Sequence, residues 1–231
     1  MITFFKPLIF TLASFLNLSS CETDSIRDQY SDRLQFNQNK TFKIVQFTDM
    51  HINADGIKSI APLRMLKEVI TSEQPDLVVF TGDIITEKPI IKGWDKLLGI
   101  MENFNIPYAV VPGNHDDEQD VKRDSIASYV SNFPHSLMVA KTDGVFGNGN
   151  YFVRIKGSED TLTKFMLWFF DSNAYSRDTS INGYGWIDQT QISWYKKESA
   201  FLSSENHHAP YPSLAFFHIP LPEYRSAFNN N

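Results

Sequence analysis

From residue 42 onward, short apolar runs alternate with segments whose apolar residues recur every three or four positions. Residues 42–47 (FKIVQF), 77–80 (LVVF) and 108–111 (YAVV) read as strands. Between the first two, Pro62 suits a first helical turn, Leu63, Leu66 and Ile70 share one helix face, and Gln74-Pro75-Asp76 stops the run. Between the second and third, Trp94, Leu97, Leu98, Met101 and Phe104 mark another helix whose apolar stripe is core packing. Two uninterrupted apolar runs among the strands indicate burial on both faces, so the pattern predicts a βαβαβ unit with a parallel sheet, an α/β fold. Further along, Ile126 and Val130 suggest a helix, residues 143–150 with their three glycines a loop, and residues 151–155, 165–170 and 214–217 further strands.

The N-terminus breaks this pattern. Lys6 precedes an apolar stretch from Pro7 to Leu18, and Ser19 and Ser20 lead into Cys21, so residues 1–21 read as an export signal. The stretch is too short for a membrane span, which needs about 20 apolar residues. Leu18-Ser19-Ser20-Cys21 resembles a bacterial lipobox, in which Cys21 carries lipid and tethers the protein to a membrane surface. Cys21 is the chain's single cysteine and has no partner for an internal disulfide. Residues 22–40 are polar and read as a tether, leaving 41–231 as the domain of a secreted or membrane-anchored protein.

The chain's 231 residues suffice for one domain with a real core. A net charge of -6, with Lys122-Arg123 and Lys196-Lys197 as isolated basic pairs on a solvated face, argues against a nucleic-acid partner. The polar residues that matter sit just past the strands: Asp49 and His51, Asp83, Asn114-His115-Asp116, and His218. In open α/β sheets ligands bind beyond the carboxyl ends of the strands, so these side chains should converge. Carboxylates and imidazoles form a site of intermediate hardness, suited to manganese, zinc or iron. Asp83 could bridge two ions, and the neutral amide of Asn114 suits a site already rich in negative charge. Gly82 and Gly113 would let the backbone turn close to the ions. Two metals about 3.5–4 Å apart would lower the pKa of a shared water and clamp phosphoryl oxygens. His115 differs from the ligands: Asp116 could fix its ring, leaving it to stabilise charge or protonate a leaving alkoxide. His135, His207 and His208 fit no motif and read as surface residues; Arg177, Tyr184 and Trp186 could border the pocket.

The set Asp49-x-His51, Gly82-Asp83, Gly113-Asn114-His115-Asp116 and His218 resembles the calcineurin-like metallophosphoesterase superfamily. Residues 183–187 (GYGWI) and 216–223 (FFHIPLPE) are similar to its purple-acid-phosphatase-like branch. The resemblance implies a layered sandwich of two β-sheets flanked by helices and a dinuclear centre that hydrolyses phosphoesters, as a phosphomonoesterase or a phosphodiesterase. It implies one metal on Asp49, His51 and Asp83, a second on Asp83, Asn114 and His218, and His115 as the catalytic histidine. Two departures stand out. Thr86 occupies the position of the tyrosine that colours purple enzymes, so no ferric-tyrosinate centre is expected. The Gly-His-x-His motif that follows the last metal-binding strand in the family does not occur before Asn231, so the domain is expected to be partial, with an unpaired sheet edge. The rival expectation is a catalytically silent lipoprotein that keeps the fold and acts as a binding module; a nuclease is disfavoured by the acidic balance.

Overall fold

The computed structural model describes residues 34–229. The signal segment, Cys21 and residues 22–33 lie outside that range. Strands β1 (Ile44–Phe47), β3 (Leu77–Thr81) and β5 (Tyr108–Val111) form a parallel sheet with β3 in the centre. Every residue of β3 is buried, as a strand covered on both faces requires. Helices α1 (Ile60–Glu73) and α2 (Ile90–Phe104) make the crossovers that parallel pairing demands. Gln74 and Asn105 end these helices in the left-handed conformation, and their N–H groups return to Ile70 and Glu102 carbonyls. Beyond β1 and β3, the short strands β2 (Ile52–Asn53) and β4 (Ile85–Glu87) pair in parallel. Helix α3 (Arg123–Ser131) follows β5.

The second sheet consists of β6 (Tyr151–Lys156), β7 (Thr163–Phe169) and β8 (Ser213–Phe216), with β6–β7 antiparallel and β7–β8 parallel. Its register places Tyr151, Phe169 and Phe216 side by side, with ring centroids 4.6 and 5.2 Å apart. These rings join Val153, Ile155 and Leu167 in one core with the first sheet. Alternate residues face the other way, and Met166, Trp168 and Phe170 pack with Leu202 of helix α4 (Gln189–Glu205). One hydroxyl helps join the sheets. On the edge of β5 away from β3, the Val110 N–H donates to the Tyr151 hydroxyl at 2.9 Å and the Val110 carbonyl accepts from it at 2.9 Å. The layered two-sheet sandwich implied by the motifs is therefore present.

Several features differ from the sequence reading, the short strands β2 and β4 among them. Helix α4 and the last helix, α5 (Pro222–Asn229), were not expected. In α4 only Gln191 and Leu202 are fully buried, so its apolar periodicity is weak, although Asp188 and Gln191 form a capping box at its start. The end of the supposed tether is part of the domain: Leu34 is buried, its carbonyl accepts from the Lys156 N–H at 2.8 Å, and the Phe36 N–H donates to the Lys156 carbonyl at 3.0 Å. The sheet edge lies at β8, which among the described residues pairs only with β7 and leaves Leu214 half exposed.

The loops beyond β3 and β5 are held together by one carboxylate. Asp116 is buried; one oxygen accepts from the N–H groups of Gly113 (2.7 Å) and Asp83 (2.9 Å), the other from Ile84 (2.8 Å) and Ile85 (3.2 Å). Burial pushes its pKa up, the Gly113, Ile84 and Ile85 donors oppose that, and the nearby Asp83 charge adds to the rise. Asp116→Asn replaces one acceptor oxygen with a donor facing buried N–H groups. Unpaired buried donors cost about 1–3 kcal/mol each, so urea denaturation should show a loss of at least about 2 kcal/mol, and a change below about 0.5 kcal/mol contradicts this bracing role.

Candidate metal centre

The strand-end turns that carry the ligand candidates have an unusual backbone. Asp49 (φ 52°), His51 (φ 46°) and Asp83 (φ 53°) are all left-handed, a conformation that costs a non-glycine residue about 1–2 kcal/mol. The turns are zipped together, because the Asp49 N–H donates to the Gly82 carbonyl (3.1 Å) and the His51 N–H to the Asp83 carbonyl (3.0 Å). Gly82 (φ 84°) has no room for a side chain: a Cβ there would lie 2.6 Å from the Gly113 backbone and from His218 Nδ1. At Gly113 an added Cβ would run into the Asp83 carboxylate and backbone nitrogen.

This close approach brings candidates from both sheets together. One ligand atom each from Asp49, Asp83 and His218 lies within 4.8 Å of the others. His218 Nδ1 donates to the Thr81 carbonyl at 2.8 Å, so Nε2 is the nitrogen turned toward Asp83 Oδ2 (3.4 Å) and Asn114 Oδ1 (3.2 Å). Burial works against a charged His218, but the Asp83 carboxylate and the Thr81 carbonyl outweigh it and raise its pKa. Burial likewise pushes Asp83 up, and its contacts with His218 and the His115 N–H bring it below the usual carboxylate value. The two shifts are reciprocal: the His218 imidazolium and the Asp83 carboxylate favour each other's charge at the point where Nε2, Asp83 and Asn114 meet. An imidazole nitrogen, a carboxylate and an amide oxygen converging on such a point form a donor set that fits a divalent cation, whose binding displaces the imidazole proton.

His51 stands across the opening. Its Nδ1 lies 3.2 Å from the Thr86 hydroxyl, and its Nε2 lies 4.0 Å from Asp49 Oδ1. Thr86 thus orients a candidate ligand from the position where a purple enzyme carries tyrosine. The Asp49 and His51 side chains are 53% and 50% exposed, against 5% for Asp83, so the centre opens on their side.

His115 sits 6.1 Å from His51, ring to ring. Its partner is not Asp116, whose oxygens are engaged by the backbone, but Glu118, with Nδ1 2.7 Å from Oε2. Adjacent residues point apart on this turn, whereas the residue three positions on returns to the same side. The Glu118 hydrogen bond raises the His115 pKa, burial works against it, and the Asp83 charge adds to the rise. Glu118 also accepts from the Tyr175 hydroxyl. The signal for this pairing was a His-x-x-Glu spacing, which Asp116 had obscured.

Arg123 is another residue the sequence concealed. Read as half of a solvated basic pair, it is a partly buried clamp that donates to the Gly113 carbonyl (2.5 Å), Asp117 (2.9 Å) and Asp171 (2.6 Å). It ties the loop beyond β5 to the loop beyond β7. Next to Asp171, the Ser172 hydroxyl accepts from the Ile219 N–H at 2.9 Å and holds the segment that carries His218. His135 is also not a surface residue: it is partly buried, with Glu102 and Asn105 each 2.5 Å from a ring nitrogen. His207 and His208 are exposed, in a left-handed turn after α4. Arg177 faces away from the ligand cluster, paired with Asp188 at 2.6 Å and lying 3.6 Å over the Phe146 ring.

Known proteins resemble this chain in sequence and in fold. The family model described as calcineurin-like phosphoesterase matches residues 42–231. "Probable inactive purple acid phosphatase 28" of Arabidopsis thaliana is 34% identical over 224 residues, covering 83% of this chain and 56% of the relative. "Probable inactive purple acid phosphatase 29" of the same plant is 32% identical, covering 86% and 59%. "Phosphatase DCR2" of Saccharomyces cerevisiae is 34% identical, covering 85% and 38%. The chain thus spans less than two-thirds of the length of each of these relatives. In fold, a dimetal phosphatase from Danio rerio superposes with a TM-score of 0.54 at 14% identity, over 79% of this chain and 71% of the other. With the family model spanning nearly the whole described domain, the chain belongs to the calcineurin-like phosphoesterases, in their purple-acid-phosphatase-like branch.

Proposed function

We propose that the chain carries the catalytic core of a metal-dependent phosphoester hydrolase acting on phosphomonoesters. The observation behind this reading is the convergence of Asp49, Asp83, Asn114 and His218 beside a histidine that is not needed as a ligand. Asp49, His51 and Asp83 would hold one ion and Asp83, Asn114 and His218 the other, with manganese, zinc or iron suited to the donors. Such ions supply charge for the phosphoryl oxygens and acidify water. The protein's own contribution is positional. Asp116 and Arg123 keep the Asn114–His115 turn against the Asp83 turn, and Thr86 and the Thr81 carbonyl set the rings of His51 and His218. With Nδ1 engaged by Glu118, His115 gives up a proton through Nε2 to the leaving alkoxide. The lipobox-like segment at Cys21 supports placing this chemistry outside the cytoplasm, on a membrane surface.

A second reading has a specific basis. The Arabidopsis relatives are named probable inactive phosphatases, which favours a binding module that retains the fold, whereas the yeast relative is named a phosphatase. Hydrolysis of p-nitrophenyl phosphate with added manganese, zinc or iron separates the two. On the hydrolase reading, His115→Ala retains bound metal but loses about 10²- to 10⁴-fold in kcat, the usual contribution of a general acid. Asp83→Ala loses metal and turnover together. Full rates in His115→Ala, or turnover that does not depend on added metal, contradict the reading.

The pairing with Glu118 predicts a pH effect. Because Glu118 raises the His115 pKa, the protonated acid persists to higher pH in the native protein. Glu118→Gln should move the alkaline limb of the kcat profile to lower pH and leave bound metal in place. An unmoved limb contradicts the role given to the pair.

A further inference from the structure

Beside His115 a hairpin arm rises from the loop after β7. Tyr175 and Tyr184 form an antiparallel bridge, supported by the Ser176 N–H to the Gly183 carbonyl (3.0 Å) and the Gly185 N–H to the Ala174 carbonyl (3.1 Å). The arm is fixed at its base, where the Asn173 side chain donates to the Trp186 carbonyl at 2.6 Å and Arg177 pairs with Asp188. Its two tyrosine rings lie nearly parallel and offset, centroids 6.3 Å apart and planes within 16°. Both stay open to solvent, Tyr175 at 49% and Tyr184 at 56% exposure.

Surface aromatic rings are ordinary, but these two are built into the site. The Tyr175 hydroxyl donates to Glu118, which holds His115, so the pair is tied to the proposed acid by two hydrogen bonds in series. That tie immobilises the Tyr175 ring, so little side-chain freedom remains to be lost when a ligand packs against the pair. Resting on the hydrolase reading above, we infer that Tyr175 and Tyr184 form an aromatic wall that receives the leaving group of the substrate, a phosphoester whose alcohol carries a planar aromatic ring.

The charge around the wall narrows the class. Arg177 is the arm's single cation, and it is turned to Asp188 and Phe146, while Glu118 lies beneath Tyr175. The arm itself offers a polyphosphate tail no unpaired cation, whereas a neutral ring meets a flat apolar face. Either a simple aryl group or a nucleobase has the required shape, since stacking depends on the π-face and not on a hydrogen-bond pattern.

Binding of non-hydrolysable phosphonates to the manganese-loaded full chain, measured by calorimetry, tests this without turnover. The ligands are methylphosphonate, phenylphosphonate and the phosphonate analogue of adenosine 5′-phosphate. At least one aromatic ligand should bind about tenfold more tightly than methylphosphonate, as expected for one stacked ring. Whichever of the two shows the larger gain identifies the ring as aryl or nucleobase. In Tyr184→Ala the preference should fall to about one, and in Tyr184→Phe, which keeps the ring, it should persist. Tyr184 is exposed, so both variants should fold. Equal binding of all three ligands, or a preference untouched by Tyr184→Ala, overturns the wall and leaves the hydrolase reading standing. Binding of none overturns both.

Discussion

The buried carboxylate of Asp116 is the constraint on which the rest of the centre depends. Four backbone N–H groups from two separate strand ends point at it. Those ends belong to neighbouring parallel strands, whose turns expose N–H groups with no partner in the sheet. By taking donors from both turns, Asp116 makes them one unit. The Asp83 carboxylate returns the bracing by accepting from the His115 N–H at 2.9 Å. Asp83 in this unit, and Asp49 and His51 in the β1 turn bonded to it, are left-handed non-glycine residues, which persist only where their surroundings over-determine them.

A second set of contacts brings the other half of the molecule to this unit. His218 follows β8 in the second sheet, and it reaches the first sheet because neither Gly82 nor Gly113 carries a side chain that would hold the loops apart. The Arg123–Asp171 clamp and the Ser172–Ile219 hydrogen bond fix the approach, and Tyr151 joins the sheets behind the site. The centre is therefore buried at Asp83, Asn114 and Asp116 and open at Asp49 and His51.

Much of this was legible in the residues. The strands of the first sheet are apolar runs that end in a polar residue, so the position past each run is visible even where its exact length is not. Asp49, Asp83 and Asn114 could be placed for that reason, and His218 by the same pattern after β8 of the second sheet. Residues that act through tertiary contacts were hidden. Arg123 looks solvated until its loop folds against Asp171, Leu34 looks like part of a polar tether until it meets β6, and α4 lacks a strong stripe because it covers only the outer face of one sheet. Asp116 was given the wrong partner, since adjacency in sequence is not adjacency in a turn. Glu118, three residues on from His115, was the partner in reach.

The central claim is that the strand ends form a cation site and not merely a hydrogen-bonded cluster. Anomalous diffraction from crystals of the chain soaked in manganese tests it most directly. Anomalous density among Asp49, Asp83, Asn114 and His218, with the His218 ring still anchored on the Thr81 carbonyl, is the predicted result. Manganese bound only elsewhere, with the hydrogen bonds among these side chains unchanged, would contradict the account.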